Sequence, residues 1–470
     1  MRYDDLIVGG GTAGCVLAAR LSEDAGRTVC LVEAGPDYGP FTGGRWPPEM
    51  VTARRMPKSH DWGTGAEDGR SLGARIIGGC SAHNACCVLA GTPADYDGWG
   101  PEWSYEQFRP YLERALAGLR TAPVNTDRPA PFHAAFLEAA RALGFPFLDD
   151  PNDPERPVGV TPFPANVVDG ARWNTAFGYL DAARGRPNLT ILPDTLVERV
   201  LLEGNRATGV VAESGRLEAG RVILVAGTYF SPAILLRSGI GPEADLRALG
   251  IPATAPLPVG RQLLDHYGAA LAWEPTDELH SELAGIEPLY EAHVMLKAAS
   301  SSCPPGSLDL HLPSWVNPRE GEPGRYDVRL AVFLMQPASS GRVRLRSVDP
   351  RELPLVEHCF LSDPRDLAVL EEGLELGRRL AATEPMRSLI DRELRPGPQD
   401  PADFLREHVS TYYHAAGTCP IGSVVDEDGR VRGIDKLYVA DASIMPAIPR
   451  ANTNLTVVAI AERIADLLAA

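Results

Sequence analysis

The stretch Leu6-Ile7-Val8-Gly9-Gly10-Gly11-Thr12-Ala13-Gly14 runs from three apolar residues straight into glycine. Leu6–Val8 predicts a short buried strand, and the following Cys15–Gly26, CVLAARLSEDAG, repeats its apolar residues on one helical face. Between the two, Gly9, Gly11 and Gly14 fit G-x-G-x-x-G. Glycines at those places permit a tight strand-to-helix turn and close approach of backbone to a pyrophosphate, while the helix N-terminus offers unpaired amides and a positive dipole. A glycine-rich turn is common by itself, and the flanks make this one specific. A second strand, Thr28–Val32, ends in Glu33, about 20 residues downstream, where an acid holds a ribose hydroxyl. An acid there disfavours NADP and leaves NAD and FAD open. Glu33-Ala34-Gly35-Pro36 then enters a long irregular stretch rich in Gly, Pro and Arg, where an NAD-binding domain would continue with a regular crossover helix. That favours FAD.

The rest of the chain sets limits on what such a turn can serve. At 470 residues there is room for two or three domains, and a hydrophobic fraction of 44% with 23% charged residues is that of a soluble globular protein. A net charge of −17 argues against nucleic acid or an anionic membrane as partner, because either calls for a basic face. Only Arg2-Tyr3-Asp4-Asp5 lies between Met1 and the first apolar run, which leaves no room for a secretory segment, and no stretch has the length of a membrane span. The eight cysteines, 15, 30, 80, 86, 87, 303, 359 and 419, form no CxxC pair, so reduced thiols and a cytoplasmic location are expected. No Cys/His cluster has metal-ligand spacing, so no metal is expected.

Along the chain the pattern interleaves. Residues 104–145 read as helical; NLTIL, LVERVLL, ATGVVAE and RVILVAG, within 187–226, read as short strands. The last runs into GTYFSPAILLRSGIGP, a strand, a small-residue turn and a helix stopped by Gly239 and Gly241. From 268 to 408 mixed strands alternate with Pro/Gly-rich loops, and the C-terminal LYVADASIMPAIPRANTNLTVVAIAERIADLLAA returns to strand, loop and helix. The expected fold is α/β: a Rossmann-like FAD-binding domain made of residues 1–155, 187–267 and 410–470, interleaved with an α+β substrate domain on an antiparallel sheet, made of 156–186 and 268–409.

Six blocks, in order, carry a resemblance. GGGTAG with Glu33, GGCSAHN (78–84), GTYFSPAILLRSGIGP (227–242), VGRQLLDH (259–266), YHAAGTCPIG (413–422) and VADASIMPAIPRANTN (439–454) resemble the successive motifs of the glucose–methanol–choline oxidoreductases. The resemblance implies FAD as cofactor and oxidation of a small-molecule alcohol, with hydride passed to the flavin and electrons then to oxygen or another acceptor. A dehydrogenase with a non-oxygen acceptor, or a non-redox member like the hydroxynitrile lyases, remains open beside an alcohol oxidase. At 470 residues the chain is a short member, so some loop insertions of the family are expected to be missing.

Residue by residue, the resemblance assigns Gly9, Gly11, Thr12, Ala13, Gly14, Glu33, Ala34, Val197, Asp441, Ala442, Thr453 and Asn454 to FAD. Gly78, Gly79, Ser81, His83, Asn84 and Cys86 join them, since small residues let a loop lie against a flat ring. GGCSAHN is similar to the run of choline oxidases whose histidine is bonded to the flavin; His83 matches it, with a hydrogen bond near the ring as the other role open to it. Ala85 departs from the serine found there in choline oxidases. Alcohol oxidation needs a base for the hydroxyl proton, which suits an imidazole. His414 matches the family's catalytic histidine, and Asn452 stands where a second histidine or an asparagine orients the alcohol. For substrate binding the candidates are Tyr412, Glu291, whose carboxylate would face a cationic alcohol, and Gln336, where choline oxidases have a histidine.

Overall fold

The first strand, Arg2–Val8, buries every side chain from Asp5 onward, and its parallel partner Val29–Val32 is buried throughout. Continuous apolar runs of this kind belong to a sheet covered on both faces. In the computed structural model, which describes residues 2–63, 72–123 and 129–470, these two strands form the centre of a seven-stranded sheet. Its order is 189–192, 29–32, 2–8, 215–224, 206–212, 197–203, with 437–439 pairing in parallel onto 222–224. The helices Thr12–Leu21 and Thr453–Ala469 contact each other beside it, and the second is buried along nearly its whole length. Each Val, Leu or Ile side chain withdrawn from water there contributes about 1.5–3 kcal/mol.

A second seven-stranded sheet is antiparallel, in the order 390–395, 267–275, 326–334, 310–318, 292–298, 159–162, with the short 410–411 strand on 267–268. Strand side chains alternate between faces. Leu310, Leu312, Leu330, Val332, Leu334, Tyr267 and Leu271 share one core with the helices Pro131–Ala142 and Pro364–Ala381. The alternate positions give the opposite face a different character: Lys297, His311 and Phe333 are direct cross-strand neighbours in one row, with Gly268 beside Phe333. Against this row lies the 410–414 segment, for Phe333 stacks on Tyr412 with ring centroids 3.7 Å apart and planes 7° from parallel.

Two segments near the expected boundaries pack on the antiparallel sheet. The helix Pro131–Ala142, placed by sequence in the first FAD-binding part, buries Phe132, Phe136 and Ala139 against the antiparallel sheet, because its apolar face finds its counterpart there. Ser410–Thr411 also pairs with that sheet rather than opening the last FAD-binding part. Among the described residues no helix is long and apolar enough to cross a membrane.

Candidate active site

The turn after the first strand is built on missing side chains. A Cβ on Gly14 would lie 1.9 Å from the Gly9 carbonyl oxygen, so the helix can start this close to the strand only with glycine there. Across the turn, Gly79 has φ +50° and a Cβ on it would come within 2.6 Å of Gly11 Cα, so the GGCSAHN loop closes directly on the glycine turn. Glu33, 7% exposed, accepts from Gly10 N through one carboxylate oxygen and from Gly35 N through the other, each at 2.7 Å. Burial pushes its carboxyl up to about 7 against those two bonds. A carboxylate has room for about four donors, so two sites remain for hydroxyls. Val197 begins a strand two residues after Thr195, whose N donates to the Glu33 backbone carbonyl at 2.8 Å.

The C-terminal helix begins at the other end of this cradle. Thr12 Oγ1 donates to Asn454 Oδ1 at 3.2 Å, while Asn454 Nδ2 is buried without a partner among the described residues. An unsatisfied buried amide costs about 1–3 kcal/mol and asks for an occupant. A glycine-lined approach, a buried acid with unused acceptor sites and an orphaned amide donor fit the pyrophosphate, ribose and ring of a flavin dinucleotide.

Several residues assigned to the cofactor turn inward instead. Ser81, fully buried, donates to Gly78 O at 2.6 Å and bonds Thr175, so it shapes its own loop. Asn84 Oδ1 accepts from Cys86 N at 3.0 Å in a local turn, which leaves only its amide nitrogen for other partners. Cys86 Sγ lies 3.4 Å from a guanidinium nitrogen of the fully buried Arg172. The Asp441 carboxylate is saturated by Gly227 N, Ser231 Oγ, Ser443 N and Ser443 Oγ at 2.5–2.9 Å, so it clamps the segment after the 437–439 strand to the helix Gly227–Arg237. His83, partly buried, points Nε2 at Ser59 O, 2.8 Å away, which puts the ring proton on Nε2 and the lone pair on Nδ1. Burial lowers its pKa.

His414 and Asn452, 38 residues apart, meet with Asn452 Nδ2 at 3.1 Å from His414 Nε2, both 8% exposed. Asn452 is the N-cap residue of Thr453–Ala469, a position where asparagine ordinarily caps through its side chain. Here it makes no such bond, because its amide is turned to His414, and its Oδ1 is buried without a partner. His414 sits on a forced loop: Tyr413 has φ +63° and is 62% exposed, which lets Tyr412 and His414 on either side both turn in. Tyr412 packs 4.2 Å from the His414 ring, and its hydroxyl bonds Asn452. Burial alone pushes His414 down to about 3, so the imidazole is neutral at ordinary pH.

Two residues near His414 were present in the VGRQLLDH block but had no assigned task. Asp265 Oδ1 accepts His414 N at 3.0 Å and its Oδ2 accepts Thr411 Oγ1 at 2.5 Å, and His266 Nδ1 lies 2.9 Å from His414 Nδ1. The Asp-His pair was the available signal; its meaning needs a contact spanning 148 residues. Glu291 and Gln336 are not part of this group. Glu291 accepts from Met56 N at 3.3 Å and lines a groove of about 1110 Å³ with Trp46, Arg54, Arg55 and Tyr290, and Gln336 is exposed beyond the fully buried Met335.

A dinucleotide cradle on the parallel strands of a mixed sheet, with a buried pair formed by a histidine after the 410–411 strand and the amide that precedes the C-terminal helix, defines a flavin-dependent oxidoreductase. The GMC oxidoreductase profiles match at residues 3–268 and 337–461, and the chain belongs to that family. It is 35% identical to an oxygen-dependent choline dehydrogenase of Pseudomonas savastanoi pv. phaseolicola, over 99% of this chain and 93% of that one. Among solved structures, pyridoxine 4-oxidase from Mesorbium loti superposes with a TM-score of 0.86 at 30% identity, covering 99% of each chain. A fungal aryl-alcohol oxidase, TM-score 0.81 at 22% identity with 100% of this chain and 99% of that one covered, shares the fold. The protein is an FAD-dependent oxidoreductase acting on the CH–OH group of alcohols.

Proposed function

We propose that the protein is an alcohol oxidase in which His414 takes the hydroxyl proton, Asn452 orients the carbinol, and oxygen is the electron acceptor. The observation that carries this is the contact between Asn452 Nδ2 and His414 Nε2 in a buried site. A hydroxyl entering between the two donates to Nε2 and accepts from Nδ2. FAD, when bound, supplies the hydride acceptor and passes the electrons onward. His414 begins neutral because it is buried, which is the state a base needs. Asp265 holds the His414 backbone, so the ring is aimed by the loop rather than by solvent-exposed side chains. Oxygen as acceptor is supported by the names of relatives, an oxygen-dependent dehydrogenase and a 4-oxidase.

The substrate class we infer is a small alcohol with an apolar or flat body. Ala451, next to Asn452, belongs to one apolar cluster with Phe163, Met295, Leu89 and Cys87, and Tyr412, stacked on Phe333, packs against the His414 ring. A cationic alcohol is the second reading. It is favoured by Glu291, half-buried with burial raising its carboxyl, in a groove that also holds Trp46 and Tyr290. Bleaching of bound flavin under anaerobic conditions by a panel of aliphatic, aromatic and amino alcohols, followed by admission of air, tests both. Fast bleaching by aromatic or apolar alcohols with prompt reoxidation in air is expected; bleaching by amino alcohols alone would overturn the first reading, and failure to reoxidise would make the enzyme a dehydrogenase. Covalent attachment of FAD at His83 belongs to the same proposal, and flavin absorbance retained in acid-precipitated protein but released from His83→Ala is the outcome that supports it.

A further inference from the structure

His414 is held at both ring nitrogens, and the group behind it has no part in the proposal above. His266 Nδ1 lies 2.9 Å from His414 Nδ1, with the two rings 88° apart. Two lone pairs do not meet at that separation, so one proton lies between the nitrogens. Which ring owns it decides what His414 can do. Both rings are buried and both are driven toward the neutral form, so each carries a single proton. Were the shared proton that of His266, the one on His414 would sit on Nε2, and that nitrogen would have nothing to offer a hydroxyl.

The opposite end of His414 gives the direction. Asn452 Nδ2, 3.1 Å from His414 Nε2, can only donate, so Nε2 holds the lone pair and the His414 proton sits on Nδ1. The fully buried His266 then accepts through Nδ1 at 2.9 Å and keeps its own proton on Nε2. The other ionisable groups facing His266 are His311 and Arg450, and both disfavour a charge on it. It therefore orients a proton and does not carry one away. We propose that His266 is a positioning residue that fixes His414 as the Nδ1–H tautomer and so presents the Nε2 lone pair to the alcohol hydroxyl.

This rests on His414 being the base, and the test separates the two. In the FAD-loaded enzyme, His266→Leu keeps the bulk and removes the acceptor, whereas His266→Asn returns an acceptor oxygen near the place of Nδ1. His266→Leu is expected to slow anaerobic flavin reduction about 10- to 100-fold with the alcohol's apparent Kd changed less than about threefold, and His266→Asn to recover to within about fivefold of the unmutated rate. Nitrogen-15 spectra of histidine-labelled holoenzyme should show His414 in the Nδ1–H form, with mixed tautomers in His266→Leu. An Nε2–H tautomer in the unmutated enzyme, or His266→Asn as slow as His266→Leu, overturns the proposal, and the first of these decides it even where a variant fails to fold. A collapsed rate in His414→Ala beside an unchanged rate in His266→Leu would sink the role of His266 alone. An unchanged rate in His414→Ala would sink the assignment of the base.

Discussion

The glycine turn and the histidine edge hold their shapes by opposite means. At the turn, Gly9 to Gly14 and Glu33 lie within 25 residues, and the geometry comes from backbone amides and from atoms that are absent. At the edge, His414, His266 and Asn452 come from three segments, and the geometry comes from side-chain atoms paired one to one. The turn has little tolerance for added bulk, and its residues bind without reacting. The edge tolerates changes of shape, but each proton in it has one workable position. Damage to the first should therefore appear as loss of cofactor, and damage to the second as loss of rate with the cofactor retained.

The sharpest way to break this comparison is at Gly14. Gly14→Val places carbon where the Gly9 carbonyl already stands, and the purified protein should be colourless, measured as flavin absorbance per chain. Retention of full FAD would mean that the turn is not what holds it. Next, His414→Ala should keep its FAD and lose about 100- to 10,000-fold in anaerobic flavin reduction, the usual loss on removing a general base. A colourless His414→Ala protein would merge the two regions that the geometry separates. Asn452→Ala should cost about tenfold in the same assay, since it removes one hydrogen bond and leaves the base. Asn452→His should keep measurable activity if the amide only orients.

The smallest expected effect concerns Glu33 and sharpens the first half. Its folded-state pKa is raised to about 7 by burial, above the ordinary carboxylate value, so the folded apoprotein holds a proton that the unfolded chain releases. The Glu33 contribution is then greatest below about pH 4.5 and is lost as pH rises toward 7, by something on the order of 1–3 kcal/mol. Thermal shift of the apoprotein between pH 5 and 7 should show this downward slope, and Glu33→Gln should flatten it. Loading with FAD, whose ribose hydroxyls supply the missing donors, should also flatten it. A slope unchanged in Glu33→Gln would assign it to another group.

The cradle was legible because its signal is local. Strand, turn, helix, second strand and acid follow one another, and each element's residues have only short distances to cover. The contact of His414 with Asn452 is not local, since no spacing rule predicts that residues 38 apart will touch. The inward turn of several side chains is not local either. Ser81 and Asp441 sit in the right blocks, but whether a hydroxyl or carboxylate faces a ligand or its own loop depends on which donors the fold brings near, and here Thr175, Ser231 and Gly227 arrive first. Glu291 illustrates the same point from the substrate side: a carboxylate in a strand-like run has two faces open to it, and the groove beside Arg54 and Arg55 is where it lies.

By itself the sequence determined the interleaved α/β architecture and the dinucleotide turn, because glycine spacing and side-chain alternation act over a few residues. Only the tertiary structure decided the partnership of His266 with His414, the tautomer that follows from it, and the freeing of the Asn452 amide from its capping duty. Those depend on a 2.9 Å contact between residues 148 apart and a 3.1 Å contact between residues 38 apart, and a hydrogen bond has a direction only once both of its ends are in place.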